Sequence, residues 1–340
     1  MPTPLVATSR LEPAPAVGSD ANSRMAWYAA VARWAPSKHN SQPWRFVVRD
    51  GHLEFWADPM RILASTDPHR REMLISVGSA VHVAGVAARA AGHEITVSLF
   101  PDGGGGPAAR IDEVGAHVPT PDDLALLAAV SKRRTDRGPL DGDRLPANLP
   151  LLLQAAAGNC GSSLRLVSTP ADRVTLAALV RRADRTLLKR GTARPELARW
   201  LREPTDRHHR DGVPTDHTRS AASSQNAEFV QRDFSTATSR PGQDRPGRDH
   251  PLVGVLCTPA DTMRDWLDAG QALGAILLRA TAAGANASYL NQPVEDVEIR
   301  AELRQQLGLD GVAQLVLRLG VGGDVAATPR RDPHDLIYMP

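Results

Sequence analysis

Two stretches of this 340-residue chain repeat one another as helices rich in small residues, and no other feature narrows the choice of fold as much. Val77 to Gly92 realigns on Ala269 to Gly284 without a gap. Gly78, Ala80, Ala88, Ala90, Ala91 and Gly92 meet Gly270, Ala272, Ala280, Ala282, Ala283 and Gly284, each 192 positions on. A weaker match sets Ala35, Arg45 and Val47 against Ala155, Arg165 and Val167, 120 positions on. The chain therefore reads as two related units, 22–118 and 119–340, sharing an interface too large for either to fold well alone.

Local patterns fill in the units. Residues 1–21 are rich in Pro, Ala and Ser and read as a loosely tethered arm. Met25, Tyr28, Ala29, Ala32 and Trp34 recur at helical spacing until Pro36 biases Ala35 out of the α region. Strands are expected over Trp44 to Val48, His52 to Trp56, Ile95 to Leu99, Leu252 to Cys257 and Gln314 to Leu319. Helices are expected over Met73 to Ala91, Pro259 to Ala283 and Glu295 to Leu307, which gives an α+β fold. Gly103 to Gly106 precede no helix start, so they read as a connecting loop and not a phosphate cradle. Thr120-Pro121, Thr169-Pro170 and Thr258-Pro259 each offer a hydroxyl N-cap, a proline where no N–H is needed, and a nearby acid.

Two polar stretches carry the chemistry. Pro36-Ser37-Lys38-His39-Asn40-Ser41-Gln42-Pro43 packs hydroxyl, amide and ammonium groups between a helix and a strand, where rigid neighbours can place them accurately. Arg133-Arg134-Thr135-Asp136-Arg137 follows the helix begun at Pro121. As a sequence alone, the first is equally an ordinary turn, and the second reads first as a set of cations offsetting a helix C-terminus.

The first stretch, continued through Trp44, resembles the Pro-Ser-x-x-Asn-x-Gln-Pro-Trp loop of the nitroreductase-like FMN proteins, and the second resembles their Arg-Arg-Ser/Thr-x-Arg segment. With the Thr328-Pro329-Arg330-Arg331 ending and the reversed order of the motifs, the chain resembles the Acg-type branch, in which two family units are fused. The resemblance implies a three-layer α/β/α nitroreductase-like fold arranged as an internal pseudo-dimer. Each half keeps what the other has lost: Ala156 to Cys160 replace the flavin loop in the second half, and no arginine pair stands near Pro13 in the first.

From the resemblance, Arg133, Arg330 and Arg331 are expected on the FMN phosphate, with Arg134 beside them in the same motif. Thr135 and Arg137 are expected on the ring edge or ribityl hydroxyls. Pro36, Ser37, Lys38, Asn40 and Gln42 belong to the loop over the ring. Leu290 and Asn291 stand where the family often has a Glu-Gly pair, a departure that bears on hydride chemistry more than on flavin binding. The reaction implied is ping-pong transfer of hydride from NADH or NADPH to a nitro-aromatic, quinone or similar small acceptor, with no catalytic acid or base named. The other function left open is FMN sequestration or storage. It would use the polar segment 204–250 as a lid, with Phe229, Val230 and Phe234 over the flavin.

Composition limits the alternatives. A net charge of +2 gives no general nucleic-acid footprint, and no uninterrupted apolar run reaches the roughly 20 residues of a membrane span. Cys160 and Cys257 fit no ligand spacing, and His208, His209 and His217 lack a carboxylate or thiol partner at helical spacing, so no metal is expected. A soluble cytoplasmic monomer is the expectation, the dimer interface having become internal.

Overall fold

The protein is described by a computed structural model covering residues 11–16, 18–189, 191–203, 206, 208–218, 228–232 and 248–340. Its helices are α1 (Ala21–Ala32), α2 (Arg71–Ala90), α3 (Pro121–Val130), α4 (Leu149–Gly158), α5 (Pro170–Lys189), α6 (Ala193–Arg199), α7 (Met263–Ala282) and α8 (Val297–Gln306). The strands are β1 (Trp44–Arg49), β2 (His52–Ala57), β3 (His93–Leu99), β4 (Ala109–Ala116), β5 (Ser163–Leu166), β6 (Leu201–Arg202), β7 (Val213–Pro214), β8 (Leu252–Thr258), β9 (Asn286–Tyr289), β10 (Val312–Gly320) and β11 (Ile337–Tyr338).

The two repeated helices are packing partners. Where α2 meets α7, Gly78 faces Gly270: a Cβ on Gly78 would lie 2.1 Å from the Leu267 carbonyl oxygen, and one on Gly270 would lie 2.2 Å from that of Ile75. Backbones this close admit glycine alone. The contact is sealed by Ser79 Oγ, which donates to the Gly270 carbonyl at 2.8 Å. Both helices are followed by a left-handed glycine, Gly92 (φ 91) and Gly284 (φ 80), at matching places in the repeat.

Each of the two helices also carries a sheet. Strands order β11-β1-β2-β4-β3 in one and β5-β8-β10-β9 in the other. Trp44, Phe46, Phe55 and Ile111 of the first sheet pack on α1 and α2. Helices cover both faces of the second: Leu256, Leu315 and Leu317 face α4 and α7, whereas Val253, Val255 and Val316 face α5 and α8. This alternation is the period of a strand buried on both sides. The chain's end pairs back onto the first sheet, with Ile337 beside Phe46 in parallel register.

Several expectations change. Strand β4 is not anticipated by the sequence pattern beyond the glycine loop. The helix expected from Pro259 begins at Met263, because Thr262 and Asp265 form the capping box. Thr258 instead ends β8, buried, and its hydroxyl binds Ala260 O and Gln314 Nε2. The arm is not loose over its described part: Trp27 Nε1 donates to Glu12 O at 3.0 Å, and Arg33 pairs with the Glu12 carboxylate. One helix among the described residues, α2, is long and apolar enough to cross a membrane by length and composition, and 78% of that window is buried inside the protein.

Candidate functional site

The loop after α1 is held in an unusual backbone. His39 (φ 52), Asn40 (φ 52) and Gln42 (φ 48) all lie in the left-handed region, which costs free energy for non-glycine residues and persists only where neighbours over-determine it. Those neighbours are specific hydrogen-bond partners. Ser37 Oγ accepts from Gln42 N at 2.9 Å, and Asn40 N donates to Ser37 O at 3.0 Å. Asn40 Nδ2 donates to Gly212 O and Pro329 O, both at 3.0 Å, while its Oδ1 accepts from Arg330 Nη1 at 2.9 Å. Gln42 Nε2 donates to Arg210 O at 2.8 Å, and Gln42 Oε1 accepts from Arg331 N at 2.8 Å. Asn40 and Gln42 therefore lock the loop to residues 210–212 and 329–331.

The loop forms one wall of a cleft between the two sheets' helices and the segment around 213–232. Of the residues picked out from sequence, Pro36, Ser37, Lys38, Asn40, Arg133, Thr135, Arg137, Asn291 and Arg330 line it. The others do not. Gln42 is fully buried in the lock just described, and Leu290 is buried in the core between α5 and α8. Arg134 turns away to Val325 O, Ser131 O and Arg133 O, and Arg331 donates to Gln42 O and Asp335 O. Phe229 does not face the cleft. It is buried among α5 side chains, with Arg173 above its ring, and Phe234 lies outside the described residues. Among the described residues of 204–250, Val213, Gln231 and Arg232 line the cleft.

The cleft is electrostatically two-ended. At one end Arg133 and Arg330 are both buried, and each Nε is without a hydrogen-bond partner among the described residues. Burial pushes the Arg133 pKa down. It pushes Arg330 much further, with Arg133, Arg33 and Arg134 adding to it. Among the described residues neither guanidinium has a carboxylate partner. Arg137, between the ends, is pushed down to about 10 by burial. At the other end Lys38 Nζ donates to Thr66 O at 2.8 Å and to the Glu72 carboxylate, and lies 3.2 Å from Glu295 Oε1. Arg232 completes the group at 2.5 Å from Glu295 Oε2. Burial works against the charge on Lys38, but Glu295 and Glu72 outweigh it and hold its pKa up. The Lys38 ammonium is thus committed to protein carboxylates, contrary to its expected place on a ring.

Sequence reading missed Glu72, Glu295, Arg232 and Tyr289. Only Glu72 left a trace, as an acid at the mouth of an otherwise apolar helical run. The α2 N-terminus it occupies is capped by Asp67, whose carboxylate accepts from Glu72 N and Met73 N.

No family model matches the chain. A Mycobacterium tuberculosis protein named "Putative NAD(P)H nitroreductase Rv3131" is 33% identical over 321 residues, covering 90% of this chain and 88% of its own. The chain belongs to the nitroreductase-like family. Within it the resemblance is to the Acg-type branch: acg of M. tuberculosis, which bears the same descriptive name, is 30% identical over 315 residues, covering 90% of this chain and 92% of its own. The uncharacterized M. tuberculosis protein Rv3127 is 28% identical over 88% of this chain and 87% of its own. Among solved structures, a nitroreductase with bound FMN from Bacteroides fragilis is 15% identical, covers 61% of this chain and 93% of its own, and superposes with a TM-score of 0.35.

Proposed function

We propose that the cleft binds FMN and that the protein is an NAD(P)H-dependent oxidoreductase for a small nitro-aromatic or quinone acceptor. One observation carries this reading: Arg133, 7% exposed, lines the cleft and has no carboxylate partner among the described residues. A buried guanidinium without a counter-ion is costly, and a phosphate supplies acceptors in the planar geometry that it matches. FMN, when bound, supplies hydride transfer.

The chain's own residues do the rest. Arg133 and Arg330 hold the phosphate, and Asn40 positions Arg330 through Oδ1. Thr135 and Arg137 serve the ribityl or ring-edge oxygens, with Pro36 and Ser37 beside the ring. Lys38, Glu72, Glu295 and Arg232 fix the far wall. Purified protein should show a flavin spectrum with at most one FMN per chain, bleached by anaerobic NADPH or NADH and restored by acceptor. Absence of FMN binding at micromolar concentration would refute the reading.

A second function, flavin sequestration, is favoured by one feature: Val213, Gln231 and Arg232 come from the long segment 204–250 and wall the cleft. A bound flavin that resists NADPH in the intact protein, and is reduced once Arg232→Ala releases the Glu295 contact, would select sequestration. The two repeated helices at a shared contact support an internal pseudo-dimer, with a solution mass equal to the 36.5 kDa chain. Light scattering at twice that mass would contradict it.

A further inference from the structure

Arg232 and Glu295 line two cavities. One is the flavin cleft; the other lies beside α5 and α6, with further walls from Thr66, Asp184, Leu187, Ala193, Arg194 and Leu197. No other described residue lines both, so this one ion pair, 2.5 Å between Arg232 Nη2 and Glu295 Oε2, is the partition where they meet. The frame around it is tied on both sides. Thr66 O accepts from Lys38 Nζ at 2.8 Å, while Thr66 N and Oγ1 donate to Glu196 Oε1 of α6 at 2.9 and 2.7 Å. Gln292 Nε2 spans Asp184 Oδ1 and Val230 O, at 3.4 and 3.3 Å, and so holds Asp184 beside the segment that carries Arg232.

Separating a buried ion pair is ordinarily costly because it strands a charge. Here each partner has a second counter-ion. Glu295 keeps Lys38, 3.2 Å from its Oε1. Burial works against the charge on Arg232, but Glu295 outweighs it, with smaller contributions from Glu72 and from Asp184 on the wall of the side cavity. Asp184 is the carboxylate left to Arg232 when it turns from Glu295 into that cavity. The lining sets the chemistry of an occupant. Asp184 and Glu295 are balanced by Arg194 and Arg232, so no net charge is offered, and Leu187, Ala193 and Leu197 offer apolar surface. We propose that the side cavity is a subsite for an uncharged alkyl substituent on the electron acceptor, admitted when Arg232 turns from Glu295 to Asp184. The proposal rests on the flavin reading, because the acceptor's reacting ring would lie in the cleft.

The test is calorimetric titration of the full-length, FMN-loaded, oxidised protein with 1,4-hydroquinone and its methyl, ethyl and butyl homologues, which bind without turnover. Affinity should rise roughly fourfold for each methylene buried, until the cavity is full, and a carboxymethyl homologue should gain nothing. Leu197→Trp, which fills the cavity from a half-buried position on α6, should flatten the series. Asp184→Asn, close in shape to the original side chain, removes the second partner of Arg232 and should flatten it too. FMN affinity measured on each variant reports that it is folded. Reoxidation of dithionite-reduced protein by the matching quinones, each rate divided by that with free reduced FMN, should follow the same order. A flat series in the unaltered protein, a series that neither variant changes, or an equal gain from the carboxymethyl group would overturn the subsite and leave the flavin reading standing. A protein that binds no FMN would overturn both.

Discussion

Gly78 and Gly270, 192 residues apart, touch: a Cβ built on Gly270 would lie 2.8 Å from Gly78 Cα. The repeat seen in the sequence is therefore a contact in the structure. The helices that carry these glycines hold the two sheets together and place Glu72, Ile75 and Leu273 on the cleft wall.

Gly78→Ala should push α2 and α7 apart, because the new methyl meets backbone and not a movable side chain. Overpacking of this kind costs about 1–3 kcal/mol or more, and urea unfolding should show it as a lower midpoint with an unchanged slope. Gly104→Ala, where nothing lies within 4 Å, should be nearly neutral and serves as the control.

Arg133→Ala should weaken FMN binding by about 1.5–3 kcal/mol, roughly ten- to a hundredfold. Quenching of FMN fluorescence on titration with protein reads this directly. Arg134→Ala, whose guanidinium binds backbone carbonyls outside the cleft, should change affinity far less.

Lys38→Met should lower stability more than flavin affinity. It leaves Glu72 and Glu295 buried with part of their counter-charge gone, and breaking one partner of a buried ion group costs about 3–5 kcal/mol. Chemical denaturation and FMN titration on the same variant separate the two. A large loss of affinity with unchanged stability would return the ammonium to the flavin.

Stability should depend on His82, which α2 packs against Gly274 of α7. Burial, with a smaller contribution from Arg279, pushes its pKa down to about 4. The unfolded chain therefore takes up a proton first as pH falls, and the contribution present above pH ~6.5 is lost on descent towards 4. Asp67 has the opposite sign: burial and Glu72 raise its carboxyl to about 6, so the folded state binds that proton first and gains as pH falls through the same interval. The measurable quantity is the difference between proteins. Melting temperature of His82→Gln should fall less between pH 6.5 and 4 than that of the unaltered chain.

The sequence by itself determined several of the elements and the Arg133 and Arg330 end of the cleft. Helix and strand periods, the Thr120 cap and the closing glycines are local, so Met25 to Trp34, Trp44 to Val48 and Met73 to Ala91 could be read from neighbours in the chain. Strand β4 escaped because Arg110, Asp112 and Glu113 make it look like loop until Ile111 is seen paired to Leu53. What only the tertiary structure decided is the use of each polar group. Lys38, Asn40 and Gln42 stand in one motif, yet Glu72, Arg330 and Arg331 claim their hydrogen bonds from 34 to 290 residues away. A donor's partner is set by what folding brings within about 3 Å of it, and distance along the chain carries no record of that.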